Sequence, residues 1–452
     1  MRRSVILKLS ITLIAVVILN FAAVNFLAPL YVLFADLAVA IIAVFWFFPQ
    51  LGLYLMVALY PFVNWQFRAG EINLPYVDLV AIFLLTAILL KTIWQVINGQ
   101  GAQLFRQKIP GLIFGVIFWL ATALSLFNSD LPFPAIKYWL RPIVFFYLMF
   151  VILPFCLIDD KKKLKNVLRI FLGVGIFTAL SGSLSVLFGV GPWYSHRAIP
   201  FSFGNFNPLG GNHNAVAEVL AAVIPLTFIL YLLSEKIKAR GWYILAIFFM
   251  AVVLILTFSR SGWLALLVEF LILLFYHFRL KINKIAFSAI VLVVLFSVVL
   301  SYFVVWQNIS WVQTSNANRI LMTKIAFNSF LEHPFIGNGL NTFQQIVGRT
   351  FVYRVEFADP LESHGFVQKL LTETGGFGLA AFIALLCSIF VYYFRGLRRT
   401  ENKKAREIVL CFLMMLAGLS VFELFSTSYF LATMWLPIGV GMAWTEKIIN
   451  NR

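Results

Sequence analysis

Apolar residues in this chain come in runs, one after another, each long enough to cross the roughly 30 Å of hydrocarbon in a bilayer. Fourteen such runs fall at about 9–25, 28–48, 50–65, 75–97, 110–128, 139–158, 167–190, 214–233, 241–259, 261–278, 285–306, 365–394, 407–426 and 429–445. The third is short enough to be partly re-entrant, so twelve to fourteen transmembrane helices are expected. Composition agrees: of 452 residues, 62% are hydrophobic and 12% charged. A soluble domain of this length has too little interior to hide that much apolar surface. The expected fold is an all-α polytopic membrane protein with one helical loop region outside the membrane.

Charge sets the expected orientation. The chain carries a formal +17, but no basic stripe has enough soluble chain around it to suit nucleic acid. With the N-terminus cytoplasmic, 25 of the 35 Lys and Arg fall inside and 10 outside, as the positive-inside rule requires. Met1-Arg2-Arg3-Ser4 and the apolar stretch after it resemble a signal peptide without a cleavage site, and are read as an uncleaved first helix. Two long polar segments then lie outside, 191–213 and about 307–364. Cys156, Cys387 and Cys411 sit in apolar segments with no partner at metal spacing, so neither a metal site nor a disulfide is expected.

Arg260 lies between two spans, in Thr257-Phe258-Ser259-Arg260-Ser261-Gly262-Trp263. An arginine within a span costs roughly 2.5–3.5 kcal/mol at the helix centre and less near an interface. Such a residue usually faces a cavity, a partner or an anion. Outside cations oppose the topology rule and need another reason to be there: Arg68, Lys137, Arg141, Arg197, Arg260, Arg319, Lys324, Arg349, Arg354 and Lys369. Guanidinium groups bind phosphate bidentately and stay charged when partly buried. A cluster of them at the outer face fits a lipid-linked phosphate or diphosphate, while snorkelling to headgroups explains a single one equally well.

Residues 315–331 read as an amphipathic helix capped by Asn316 or Asn318, with Arg319 near its N-terminus, where free backbone N–H groups also favour an anion. It stops at His333-Pro334, before a Gly337-Asn338-Gly339 turn. His364 stands where the outer loop meets the next span, and an imidazole there can take a proton near neutral pH. Glu218, one turn into a span that begins at Asn214, is an intramembrane acid. The outer aromatics Trp193, Tyr194, Phe201, Phe203, Phe206, Trp306 and Trp311 fit an interfacial belt.

Three of these stretches resemble the sequence blocks of the O-antigen ligase and polymerase superfamily. Ser259-Arg260-Ser261-Gly262-Trp263 is similar to the first. Arg319 followed by His333-Pro334-Phe335-Ile336-Gly337-Asn338-Gly339 is similar to the second. His364-Gly365-Phe366 through Glu373-Thr374-Gly375 is similar to the third, with Gly365 where relatives usually have Asn. Arg197 to Asn214 resembles a weaker fourth. The resemblance implies a GT-C-like membrane glycosyltransferase, closest in pattern to the ligase. It would move a glycan from a polyprenyl-diphosphate carrier to a glycan or lipid acceptor on the outer side of a bacterial cytoplasmic membrane, in lipopolysaccharide or other cell-envelope polysaccharide synthesis. It implies that Arg260 and Arg319 hold the diphosphate and that His364 orients or deprotonates the acceptor hydroxyl. Arg197, Asn214 and, more remotely, Arg141 become further substrate contacts. Ligase-type relatives need no metal or other cofactor. The chain divides accordingly into N-terminal helices (1–190), a ligase-like core (191–394) and a C-terminal hairpin (395–452). A polymerase joining lipid-linked repeats, a protein-directed oligosaccharyltransferase and a teichuronic or exopolysaccharide polymerase share the donor chemistry. A flippase or transporter and an inactive scaffold are the readings from other classes.

Overall fold

The computed structural model describes residues 29–69, 72–99, 109–189, 197–202, 204, 206–278 and 310–450. The expected spans at 9–25 and 285–306, and with them the uncleaved first helix, lie outside the described residues, as do Trp193, Tyr194, His196, Phe203 and Trp306.

The protein is an all-α polytopic membrane protein. In chain order, α1 (Pro29–Phe47) and α2 (Pro49–Leu59) precede a short hairpin of β1 (Gln66–Ala69) and β2 (Ile72–Pro75). Then come α3 (Tyr76–Ile97), α4 (Leu112–Leu124), α5 (Pro132–Leu157, with π-helical turns around Pro142) and α6 (Lys161–Leu187). α7 (His213–Leu233), α8 (Ile237–Leu256) and α9 (Arg260–Phe278) follow. Next are α10 (Ser310–Glu332) and two short pieces, α11 (Phe343–Arg349) and α12 (Phe351–Phe357). The long α13 (Phe366–Arg399), α14 (Lys403–Glu423) and α15 (Ala432–Asn450) end the chain.

Among the described residues eight helices are long and apolar enough to cross a membrane: α3, α5, α6, α7, α8, α9, α13 and α14. Three expectations change. The runs at 28–48 and 50–65 form α1 and α2, which meet at a bend of 112°, the geometry of a broken span or of the partly re-entrant third run. Phe48 precedes Pro49, and the proline ring drives the residue before it out of the helical region, here to φ −127°, ψ 63°. The run at 110–128 is thirteen residues of α-helix tightening into a 3₁₀ turn at Ser125–Asn128. The last run is a helix, α15, which ends in the polar residues Glu446, Lys447 and Asn450 and is buried along most of its length.

α7 is the axis of the bundle. Its apolar window is 78% buried, against 17% for α8, so α7 is packed all round while α8 turns most of its surface outward. In lipid no hydrophobic force pushes helices together, so close approach depends on small residues. Gly262 of α9 is one of them: a Cβ there would sit 2.8 Å from the Cβ of Ala217 on α7. Short connections, 234–236 between α7 and α8 and 400–402 between α13 and α14, make these neighbours antiparallel. They gather the N-termini of α7, α9 and α13 at one end of the bundle. The basic segments at Lys161–Lys165, Lys236–Arg240 and Arg395–Arg406 collect at the other.

Candidate functional site

The site end is organised by a tight turn. α8 stops at Leu256, Phe258 takes a left-handed conformation (φ +54°), and α9 begins at Arg260. A bulky residue in that region is strained, by roughly 1–2 kcal/mol, and persists only where its surroundings demand it. Ser259 caps the new helix: its Oγ accepts from the Gly262 N–H at 3.2 Å, satisfying one of the free donors of the first turn. The same hydroxyl donates to Asn214 Oδ1 at 2.7 Å and lies 3.0 Å from Ser261 Oγ. Asn214 is the second residue of α7, whose N-terminus is capped by Asn212 (Oδ1 accepting from the Asn214 N–H, 2.9 Å). Two helix N-termini, each a site of partial positive charge, are thus hydrogen-bonded side by side. The Ser-Arg-Ser-Gly sequence is a cap, a cation and a small packing residue in succession.

Arg197 is held beside this turn by its backbone. The Ala198 N–H donates to the Leu256 carbonyl (2.9 Å), and the N–H groups of Ile199 and Phe201 donate to Ser185 and Ser181 of α6.

A cavity of about 1440 Å³ opens next to Arg260. Its polar end is lined by Arg260, Asn316, Arg319, Thr323, Lys324, His364 and Gln368. Its remaining length is mostly apolar, with Ile224, Phe228, Ile247, Ile255, Leu267, Phe270 and Met414 in the wall and one buried carboxylate, Glu269, among them. The structure therefore brings Arg260, Arg319 and His364 to one end of one cavity, although they are far apart in sequence. Arg260 Nη1 donates to Asn316 Oδ1 at 2.8 Å. Burial, then the charges of Arg319 and Arg260, hold the His364 imidazole down at about 4, so it is neutral near pH 7. His213, at the head of α7, lies in the combined field of Arg197, Arg319 and Arg260.

Other expected residues fall elsewhere. Arg141 does not line the cavity: its Nε and Nη2 donate to Asp78 Oδ2 at 3.1 and 2.9 Å, tying α5 to α3. Asn214 acts on the site through Ser259 rather than from the wall. Glu218 is buried one turn below, where Ser428 Oγ lies 2.8 Å from its Oε2 and 2.6 Å from Glu423 Oε1. The helix carrying Arg319 already runs from Ser310 among the described residues, not from near 316, so Arg319 is in its interior and the helix-terminus argument for it fails. Asn316 and Asn318 are therefore interior positions, and the Asn316 side chain is engaged by Arg260 rather than by the backbone of a helix end. Asn316, Thr323 and Gln368 are site residues the sequence reading missed. The signal was present for two of them, since 316, 319, 320 and 323 share the face of one helix.

The remaining motif residues build a wall. α13 breaks its helical pattern at Gly375 (φ +64°), and the 333–343 loop docks there. Gly376 and Phe377 N–H donate to the carbonyls of Pro334 and Phe335, and Asn338 and Gly339 N–H to those of Thr372 and Glu373. A Cβ on Gly375 would lie 2.5 Å from the Phe335 carbonyl, and one on Gly337 2.4 Å from the Glu373 carbonyl carbon, so only glycines permit the contact. Below it, buried Lys369 pairs with Glu362 (2.7 Å), lies 3.7 Å from Glu373 Oε1 and caps the Tyr138 ring at 5.1 Å. Among the described residues no three His, Cys, Asp or Glu side chains gather as a metal site.

No curated protein matches the chain. Residues 245–383 match the family model described as O-Antigen ligase. That segment is under a third of the chain, yet it holds Arg260, Arg319 and His364, and the match supports the chain's place in the O-antigen ligase superfamily, whose members are glycosyltransferase-like ligases and polymerases.

Proposed function

We propose that this protein transfers a glycan from a polyprenyl-diphosphate carrier to an acceptor hydroxyl at the outer face of a bacterial cytoplasmic membrane. The observation that carries this reading is the two-part cavity. Arg260, Arg319 and Lys324 gather at one end, and a largely apolar trough, interrupted by the buried carboxylate of Glu269, continues from them along α9. A lipid diphosphate has the same two parts, a compact polyanion on a long hydrocarbon. The excess of Lys and Arg at the opposite end of the bundle supports an extracytoplasmic site.

In this reading the acceptor oxygen attacks the anomeric carbon while the bond from that carbon to the diphosphate oxygen breaks, and the electron pair departs with the diphosphate. Arg260 and Arg319 stabilise the charge that grows on the leaving group. The hydroxyl proton passes to the neutral imidazole of His364. Burial chiefly keeps His364 unprotonated and the arginine charges add to it; a bound diphosphate offsets the arginine part, so the imidazole becomes a stronger base when the donor is in place. Arg197, behind the turn, adds positive potential. The three-part division of the chain, with the core at 191–394, follows from the same reading.

The test is reconstitution in proteoliposomes with a polyprenyl-diphosphate-linked glycan and candidate acceptors. A new glycosidic bond to a lipid or core-glycan acceptor supports ligation, and elongation of a second lipid-linked repeat makes the enzyme a polymerase. Movement of the donor between leaflets with no new bond would overturn the transferase reading in favour of a flippase.

A further inference from the structure

His364 and Arg319 belong to different parts of the fold, the stem of α13 and the middle of α10, yet one hydrogen-bonded chain connects them. The Thr323 hydroxyl donates to the Arg319 carbonyl one turn earlier (2.7 Å). Gln368 Nε2 donates to that hydroxyl oxygen (2.5 Å). The His364 backbone N–H donates to Gln368 Oε1 (3.1 Å). The directions are mutually determined. Because the threonine proton is committed to a carbonyl, its oxygen offers only lone pairs, so the amide nitrogen of Gln368 must face it and the amide oxygen must face His364. Gln368 is the third residue of α13 after its cap Gly365, where a Gln commonly reaches back to the N-cap N–H. Here it reaches one residue further, to His364, and spends its other end on a neighbouring helix.

We propose that Gln368 is a positioning residue that, with Thr323, sets the separation between the imidazole of His364 and the guanidinium of Arg319. The inference deepens the transferase reading and rests on it for its catalytic consequence. The Lys369–Glu362 ion pair also steadies the His364 stem, but both of its partners lie on the α13 side. The Gln368–Thr323 bond crosses to α10.

Two measurements test this. In the transfer assay, Gln368→Met and Thr323→Val should each lower kcat by between about tenfold and a hundredfold, the range expected for a small misplacement of reacting groups. Donor affinity should change little. Thr323→Ser should restore the rate, and the double variant should be no slower than Gln368→Met alone. Weakened donor binding with unchanged kcat, or additive losses, would overturn the proposal by making these residues direct substrate contacts or independent packing residues. Separately, spin labels on the exposed positions Phe327→Cys and Leu361→Cys, with Cys156, Cys387 and Cys411 replaced, should give one narrow distance distribution in the parent and a broader one with Gln368→Met. An unchanged distribution would overturn the proposal even if the parent transferred no glycan, an outcome that would count against the transferase reading instead.

Discussion

Two regions of this molecule use charge in opposite ways. At the Ser259–Gly262 turn, Arg260 and the N-terminus of α9 meet a cavity that Arg319 and Lys324 also line, with the N-terminus of α7 hydrogen-bonded behind them. At the 333–343 loop and the first turns of α13, charge is shut away: Lys369 is 3% exposed in its side chain and Glu373 1%, bridged to each other and to Glu362. Both regions contain residues of the same family-like blocks. The contrast separates motif residues that meet a substrate from motif residues that shape the wall holding them. A buried pair is strongly destabilising to break, because removing one partner strands the other. A cavity-facing cation leaves stability nearly unchanged when removed.

The largest effects should therefore fall on activity at the first region. Arg260→Ala, Arg319→Ala and His364→Ala should each reduce transfer by about a hundredfold or more, by analogy with loss of one oxyanion donor, with unfolding temperatures near the parent's. Full activity in all three would erase the distinction.

In the second region the order should invert. Lys369→Met, which takes the cation away from the buried Glu373, should lower stability by about 3–5 kcal/mol, read as loss of folded protein in detergent. Gly375→Ala should do likewise, since its Cβ meets the Phe335 carbonyl at 2.5 Å. Either variant remaining as stable as the parent would show that the loop docks for another reason.

Acidity sharpens the comparison further. His364 is held down at about 4 by burial and then by Arg319 and Arg260, and it is the neutral form that accepts a proton. Activity should fall as pH falls. The limb in kcat/KM, which reports the donor-free enzyme, should lie near 4. The limb in kcat should lie higher, because the bound diphosphate offsets the arginines. A kcat limb at or below that of kcat/KM would remove His364 as the base. The smallest effect on activity is expected at Arg141: with its guanidinium on the largely buried Asp78 and not in the cavity wall, Arg141→Ala should leave kcat/KM close to the parent's.

How much of this was readable in the chain differs between the two regions. Arg260 was conspicuous because a guanidinium between two apolar runs is costly unless something compensates it, and that argument needs only local sequence. The stop of α10 at His333-Pro334 and the start of α13 after His364 were equally local. Gln368 was silent, since a polar residue on a helix facing outward and one facing a neighbouring helix look alike in a sequence. Arg141 misled for the same reason, its partner Asp78 being 63 positions away. The glycines at 337, 339 and 375 were visible as motif letters, but that they let one backbone lie against another emerges only with both strands of chain in place.

The amino-acid sequence alone determined where the chain becomes helical and where lipid must be its solvent, because apolar length and the hydrogen-bonding demand of a backbone in hydrocarbon are properties of contiguous residues. The tertiary structure decided which cations meet across a cavity and which are spent on carboxylates. It also decided that α1 and α2 form one bent unit and that α10 begins early enough to carry Arg319 in its middle. Those outcomes depend on the distances between groups brought together by packing, and no local pattern encodes them.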